Sequence, residues 1–324
     1  METVGSIGEF GLIARIARLV PSAPSVIEGI GDDCAVLRLG SHVMLVSCDL
    51  SIENVHWHRS HAPAESIGWK AAASALSDIA AMGGKPLFCL VSLACPADTG
   101  VAFIEGLYDG MLDAVAQCGA SIVGGDTTRS TEGIIVDVTV IGEPVGRYVT
   151  RRGALPGDKL VATGRLGLAA AGLDAIEAGT AAPELVRALY RPTPRFPEGQ
   201  WLSDCPDVHA MIDISDGLIQ DAGHLAEAAR LGVDIDPALL PIAPELAAYC
   251  AERGVNAYDF ILSGGEDYEL AFAVAAERAD EIVLAFRRQF HTDITIVGAF
   301  TDAWRDVRVA GAAPGARGFD HFSR

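Results

Sequence analysis

Lysine is nearly missing from this 324-residue chain, occurring only as Lys70, Lys85 and Lys159. A phosphate loop of the form G-x-x-x-x-G-K-[ST] is absent, because none of the three stands in that setting. Lys85 follows Gly83-Gly84 but precedes Pro86, and Lys70 lies inside a helical pattern. The protein-kinase set of a strand lysine, H-R-D and D-F-G is also missing. Seven scattered cysteines include no C-x-x-C pair, which argues against a disulfide framework and against structural zinc. No run approaches the ~18 apolar residues of a membrane span. The first residues carry Glu2 and Glu9 and no basic stretch, unlike a secretory signal. A reducing cytoplasm is the expected setting.

Positive charge as a whole is scarce. The 24 Lys+Arg against 43 Asp+Glu give a formal charge of −19, which argues against nucleic acid or an anionic membrane held by bulk charge. Half the residues are hydrophobic and 21% are charged, a balance that supports a packed core. At about 150 residues per domain the length suggests two domains.

Apolar spacing predicts a helix over 9–20, stopped at Pro21, then a β-rich run at 42–48 with Asp49 at its end. An alanine-rich helix is expected over 64–82, ended by Gly83-Gly84, and a buried strand over 86–94. Asp98 or Thr99 can cap a helix through about residue 117, with Gly119 just past its end. Strands at 121–126 and 133–145 complete the first half. A basic, Pro/Gly-punctuated stretch at 147–160 marks the domain boundary, giving domains of 1–148 and 149–324. The second half offers helices over 167–178 and 216–230, a Pro-rich stretch at 191–197 and a strand at 209–215. The mixture predicts two α+β layered domains.

Four glycine-flanked acidic clusters follow apolar runs: Gly31-Asp32-Asp33, Gly124-Gly125-Asp126, Asp213-Ile214-Ser215-Asp216-Gly217 and Gly264-Gly265-Glu266-Asp267. One such cluster reads as turn chemistry, since Gly and Asp make turns and caps. Four, together with Asp49, suggest carboxylates gathered at one place, where cations must offset their repulsion. Oxygen donors without a His/Cys pattern select hard cations, and Mg²⁺ commonly joins carboxylates to substrate phosphates. Glycine allows backbone N–H groups to approach phosphate oxygens. His56, Trp57, His58 and His61 on one loop are weak evidence for zinc, because no further ligands accompany them.

The runs G-I-G-D-D-C-A-V at 29–36, L-S-D-I-A-A-M-G-G at 76–84 and G-G-D-T-T-R at 124–129 resemble the thiamine-monophosphate kinases. So do T-R-R-G-A-L-P-G-D at 150–158, I-D-I-S-D-G-L at 212–218, S-G-G-E-D-Y-E-L at 263–270 and G-F-D-H-F at 318–322. The G-D-D and G-G-D motifs extend more loosely to the aminoimidazole ribonucleotide synthetase-like superfamily. Its purine-pathway synthetases and hydrogenase-maturation proteins are the alternative readings, followed by a non-catalytic nucleotide- or cation-binding protein.

The resemblance implies the two-domain fold of that superfamily, a homodimer formed through the N-terminal domains, and ATP-dependent phosphorylation of thiamine monophosphate. By resemblance, several Mg²⁺ ions would be held by Asp33, Ser47, Cys48, Asp49, Asp78, Asp126, Asp213 and Asp216, with Asp49, Asp126 and Asp213 assisting the transfer. Tyr108, Gly124, Gly125, Arg151 and Ser215 would contact ATP. His56, Glu266 and Phe319 would contact thiamine monophosphate, a carboxylate and an aromatic ring suiting its cationic thiazolium. Asp32 is expected to be a turn or cap residue. Cys48, Leu50, Asn54 and Trp57 depart from the family pattern, and a thiol is a poor ligand for Mg²⁺.

Overall fold

The structure, a computed structural model, describes residues 2–315, 318–319 and 321–322. The first half runs α1 (Val4–Leu19), β1 (Val26–Glu28), β2 (Ala35–Leu39), β3 (His42–Ile52), α2 (Ala64–Ala81), β4 (Gly84–Cys95), α3 (Val101–Cys118), β5 (Ser121–Arg129) and β6 (Ile135–Pro144). The second half begins with β7 (Lys159–Thr163), α4 (Leu168–Glu177), α5 (Pro183–Tyr190), α6 (Phe196–Asp204) and β8 (Val208–Ile214). It continues with α7 (Leu218–Ala229), β9 (Gly232–Ile235), α8 (Pro244–Arg253) and α9 (Ala257–Ser263). β10 (Glu269–Val274), α10 (Ala279–Gln289), β11 (Ile294–Thr301) and β12 (Val307–Val309) close the chain.

Each half builds one six-stranded sheet, in the orders β1-β2-β3-β6-β4-β5 and β12-β9-β11-β7-β10-β8. Both are mixed: β4–β5 and β9–β12 are parallel pairs among antiparallel ones. The expected α+β pair of domains is what forms. No helix among the described residues is long and apolar enough to cross a membrane.

The two halves meet on α2. Alanine is the best helix former and adds little bulk, and here it lets a helix be buried nearly all round, as an apolar helix inside a protein must be. Its neighbours approach backbone to backbone. A Cβ on Gly68 would lie 1.9 Å from the Leu107 carbonyl oxygen, and one on Gly110 would lie 1.8 Å from that of Glu65. On the other side, a Cβ on Gly199 of α6 would lie 2.1 Å from the Ala80 carbonyl oxygen. Leu189, Tyr190 and Phe196 of the second half pack into the first half's core beside Ile67, Leu76 and Ile79. The Trp69 indole N–H donates to the Pro192 carbonyl at 2.6 Å, so the Pro-rich stretch is clamped against α2.

Several boundaries differ from expectation for identifiable reasons. β3 continues to Ile52, so Asp49 lies within the strand rather than at its end, because Asp49 to Ile52 pair with Val138 to Ile135 of β6. Gly84 opens β4 instead of ending the helix, while Gly83 alone makes the turn at φ +70°. Neither Asp98 nor Thr99 caps α3; Gly100 occupies that position, and Gly119 closes the helix in the left-handed conformation. α1 extends back to Val4 across a non-helical kink at Gly8. α7 starts at Leu218, leaving Asp216 outside the helix, where the Asp221 carboxylate accepts from the Asp216 and Gly217 amides.

One face of the first sheet is packed and the other is open. On β4, Cys89, Val91 and Leu93 are buried, whereas Phe88 and Leu90 are exposed, with Leu50 and Val123 nearby in the same sheet.

Helix propensity favours alanine over glycine by about 1 kcal/mol, so Gly110→Ala on an open helix would stabilise. Here it should destabilise by about 1–3 kcal/mol, because the added methyl meets backbone that cannot move aside. A denaturant midpoint higher than wild type would refute the close-packed contact.

Candidate active site

The acidic clusters converge where the two halves join. Asp33 follows the Gly31 turn, Asp78 projects from α2, and Asp213 comes from the buried strand β8. One carboxylate oxygen from each lies within 4.8 Å of the other two. Ser47 of β3 donates its hydroxyl proton to Asp78. Arg151, from the inter-domain segment, reaches back across the joint to Asp33, with Nε at 3.0 Å and a terminal nitrogen at 2.6 Å from Oδ1. Its backbone N–H donates to the Asp32 carboxylate at 3.2 Å.

Charge is badly underbalanced in this cluster. Burial pushes the Asp33 carboxyl above its ordinary range despite Arg151. Asp78 is raised well above it by burial and then by Asp213 and Asp33. Asp213 is raised to about 7 by burial and by Asp33, and Asp49 is raised mainly by burial. Asp32 also rises to about 7, through burial and the adjacent Asp33. Asp32 therefore exceeds the turn residue expected of it, since it also ties Arg151 to the first half. The Oδ2 atoms of Asp33 and Asp213 are buried without a hydrogen-bond partner. Oxygen-only donors, excess negative charge and two orphaned acceptors are the properties of a site that could hold a hard divalent cation.

A second acidic group adjoins the first. Asp216, raised to about 6 mainly by burial, lies with Asp221 and His224 within ligand-to-ligand reach of 4.8 Å. Sequence reasoning missed Asp221 and His224, although both follow Asp216 on the next turns of α7. The Gln220 amide donates to Asp216 at 3.1 Å and to the Phe319 carbonyl at 2.7 Å, and the Phe319 N–H donates to the Asp216 carbonyl. Phe319 is thereby held over this edge of the joint.

His56 and Glu266 come together through Lys70, whose ammonium is 2.6 Å from Glu266 Oε1 and donates to the His56 carbonyl at 3.1 Å. The His56 ring accepts the Ile52 N–H through Nδ1 and lies 5.0 Å from the His321 ring, which in turn meets Phe319 edge-on at 4.8 Å. His58 and His61 face each other on the same loop at 4.6 Å. Ser215 accepts the Glu266 N–H through its carbonyl at 2.7 Å.

The remaining expected residues stand elsewhere in the chain. Asp126, Gly124 and Gly125 lie on the exposed edge strand β5, and Asp126 is outside the three-carboxylate group. Gly125 has φ +152°, and a Cβ there would sit 1.8 Å from the Val91 carbonyl oxygen. Cys48 is exposed on β3, on the opposite side of the strand from Ser47. Tyr108, half-buried on α3, packs against the first-half core.

Two mixed-sheet domains closing on a buried carboxylate cluster define the class. The AIR synthase related protein N-terminal domain matches residues 31–143, and the corresponding C-terminal domain matches 156–310. Thiamine-monophosphate kinase of Aquifex aeolicus is 35% identical over 321 residues, 98% of each chain. That of Escherichia coli K12 is 38% identical over 275 residues, 82% of each. A solved structure of AaThiL complexed with AMPPCP and TMP superposes with a TM-score of 0.89 at 33% identity, covering 99% of both chains. The chain belongs to the thiamine-monophosphate kinase family within the AIR synthase related proteins.

The raised carboxyls set a pH dependence. Their folded pKa values, about 7 for Asp213 and about 6 for Asp216, exceed the unfolded value near 3.9. Between those limits the folded state binds more protons, so their contribution to stability is present at acid pH and lost as pH rises towards about 7. In chelator, the melting temperature of Asp213→Asn should therefore fall less than that of wild type between about pH 5 and about pH 8. Parallel curves would remove Asp213 from the strained cluster.

Proposed function

We propose that the chain transfers the γ-phosphoryl group of ATP to thiamine monophosphate, giving thiamine diphosphate and ADP. The observation that carries this reading is the oxygen-only cluster of Asp33, Asp78 and Asp213, joined to Arg151 at the inter-domain seam. It occurs in a fold shared end to end with a relative solved with AMPPCP, an ATP analogue, and TMP.

Asp33, Ser47, Asp49, Asp78, Asp126, Asp213 and Asp216 are assigned to Mg²⁺, with Cys48 contributing through its backbone carbonyl. Bound Mg²⁺ would offset the mutual repulsion of the two phosphate groups and spread charge that develops in the transfer. The chain's own residues then position and enclose. Arg151 and Ser215, with Tyr108 and the Gly124-Gly125 backbone, hold the nucleotide; His56, Glu266 and Phe319 hold the acceptor. An acceptor phosphate oxygen, already ionised at neutral pH, attacks the γ-phosphorus in line. The bond to the β,γ-bridging oxygen breaks, and ADP leaves with that electron pair. No general base is required, so alignment and electrostatics supply the rate.

The open face of the first sheet, with Phe88, Leu90 and Leu50 exposed, is assigned to a homodimer. Exposed apolar residues grouped on one face fit a self-association surface. Sedimentation should find a dimer, and Leu90→Asp should shift it to monomer; an unchanged sedimentation coefficient would assign the face to something else.

Incubation with ATP, Mg²⁺ and thiamine monophosphate should yield thiamine diphosphate, and absence of product from folded, Mg²⁺-supplied protein would sink the reading. Asp126→Asn, on an exposed strand and so harmless to folding, should lower turnover by about a hundredfold or more. Near-normal rates would remove Asp126 from the metal set.

A further inference from the structure

Lys70 is the one buried lysine of the three, with its side chain 4% exposed. A buried ammonium is costly unless paired and hydrogen-bonded, and an apolar side chain of similar length would fill the same space at no such cost. Its partners come from three separate segments. Nζ lies 2.6 Å from Glu266 Oε1, donates to the His56 carbonyl at 3.1 Å, and stands 5.4 Å from the Tyr190 ring centroid at the end of α5.

The Glu266 segment is one that needs holding. Glu266 and Tyr268 both adopt left-handed backbone conformations, at φ +67° and +51°. Side chains with a Cβ disfavour that region and persist in it only when their surroundings impose it. The Glu266 N–H is fixed on the Ser215 carbonyl at 2.7 Å and the Tyr268 N–H on the Ile214 carbonyl at 2.8 Å. Those bonds hold the strained loop from one side, and the Lys70 contact to the Glu266 side chain holds it from the other.

We propose that Lys70 is a positioning residue for the acceptor site, its ammonium holding the Glu266 carboxylate and the His56 carbonyl in register across the inter-domain joint. This rests on the acceptor-binding reading of His56 and Glu266 given above. Glu266 then meets its ligand already paired, so it selects by the direction of its free acceptor sites more than by net negative charge.

The test compares Lys70→Met, Lys70→Arg, Glu266→Gln and the double variant Lys70→Met/Glu266→Gln. Lys70→Met should raise the KM for thiamine monophosphate by about ten- to a hundredfold, the loss typical when a residue orienting a binding group is removed. The KM for ATP should stay within about threefold, and Lys70→Arg should recover part of the loss by keeping the cation. An unchanged acceptor KM, or equal rises for both substrates, overturns the proposal. If Lys70→Met fails to fold, the double variant removes both charges together, which buried pairs tolerate better. Its acceptor KM should equal that of Glu266→Gln alone, and a further large rise overturns the proposal. Hydrogen exchange separates this inference from the kinase reading. Whether or not wild type forms thiamine diphosphate, Lys70→Met, or the double variant in its place, should lose protection at the Glu266 and Tyr268 amides while the β8 and β10 amides keep theirs. Unchanged protection at those two amides overturns the role of Lys70.

Discussion

Everything in this molecule depends on how little side chain α2 carries. Two sheets cannot share a helix unless that helix is thin enough for their own helices to reach its backbone. The alanines and Gly68 of α2, with Gly110 and Gly199 on the facing helices, allow it. Close packing then fixes position to a fraction of a methyl group, since protein interiors have no slack to absorb a misplaced element. Asp78 and Lys70 ride on this helix, so the carboxylate cluster and the Glu266 segment take their geometry from one rod. A wider helix would separate the halves and scatter the site.

The same closeness explains the electrostatics. Asp33, Asp78 and Asp213 come from different parts of the chain and are driven together by packing, with one guanidinium among them. Left alone, such a group is a destabilising feature, and its raised proton affinities express that. An acidic protein with almost no lysine thus carries buried carboxylate oxygens without partners, which a cation would satisfy more fully than protons do. Strain against folding and readiness to bind are two aspects of a single arrangement.

Local pattern revealed a good deal of this. The alanine run located α2, and Asp78 stood out as a poor helix former within it. Glycine-flanked acids supplied Asp33 and Asp213 of the cluster, and the basic punctuated stretch contains Arg151, which reaches it. What stayed hidden depends on pairing across the chain. Asp49 looked like a strand end because nothing near it in sequence shows that β6 extends the ladder beyond it. Lys70 looked like an ordinary helical residue, since Glu266, which makes its burial tolerable, lies far along the chain. The spread of Asp126, Gly124 and Gly125 onto an exposed edge was equally invisible, because motif order carries no information about which face of a sheet a residue occupies. Asp221 and His224 were within reach of periodicity, following Asp216 along α7, and needed only to be considered together.

The shared helix also has a temporal side. Protein synthesis delivers α2 well before α5, α6 and β8, the elements that cover its other flank. The first sheet can assemble on the ribosome, but the flank carrying Ala80 and Ala81 stays open to water until residues near 214 have emerged. The two halves, which separate family models match, therefore complete their shared core only together. The nascent first half carries an apolar stripe that its own chain will later cover, and this is the stage at which chaperones would find something to hold.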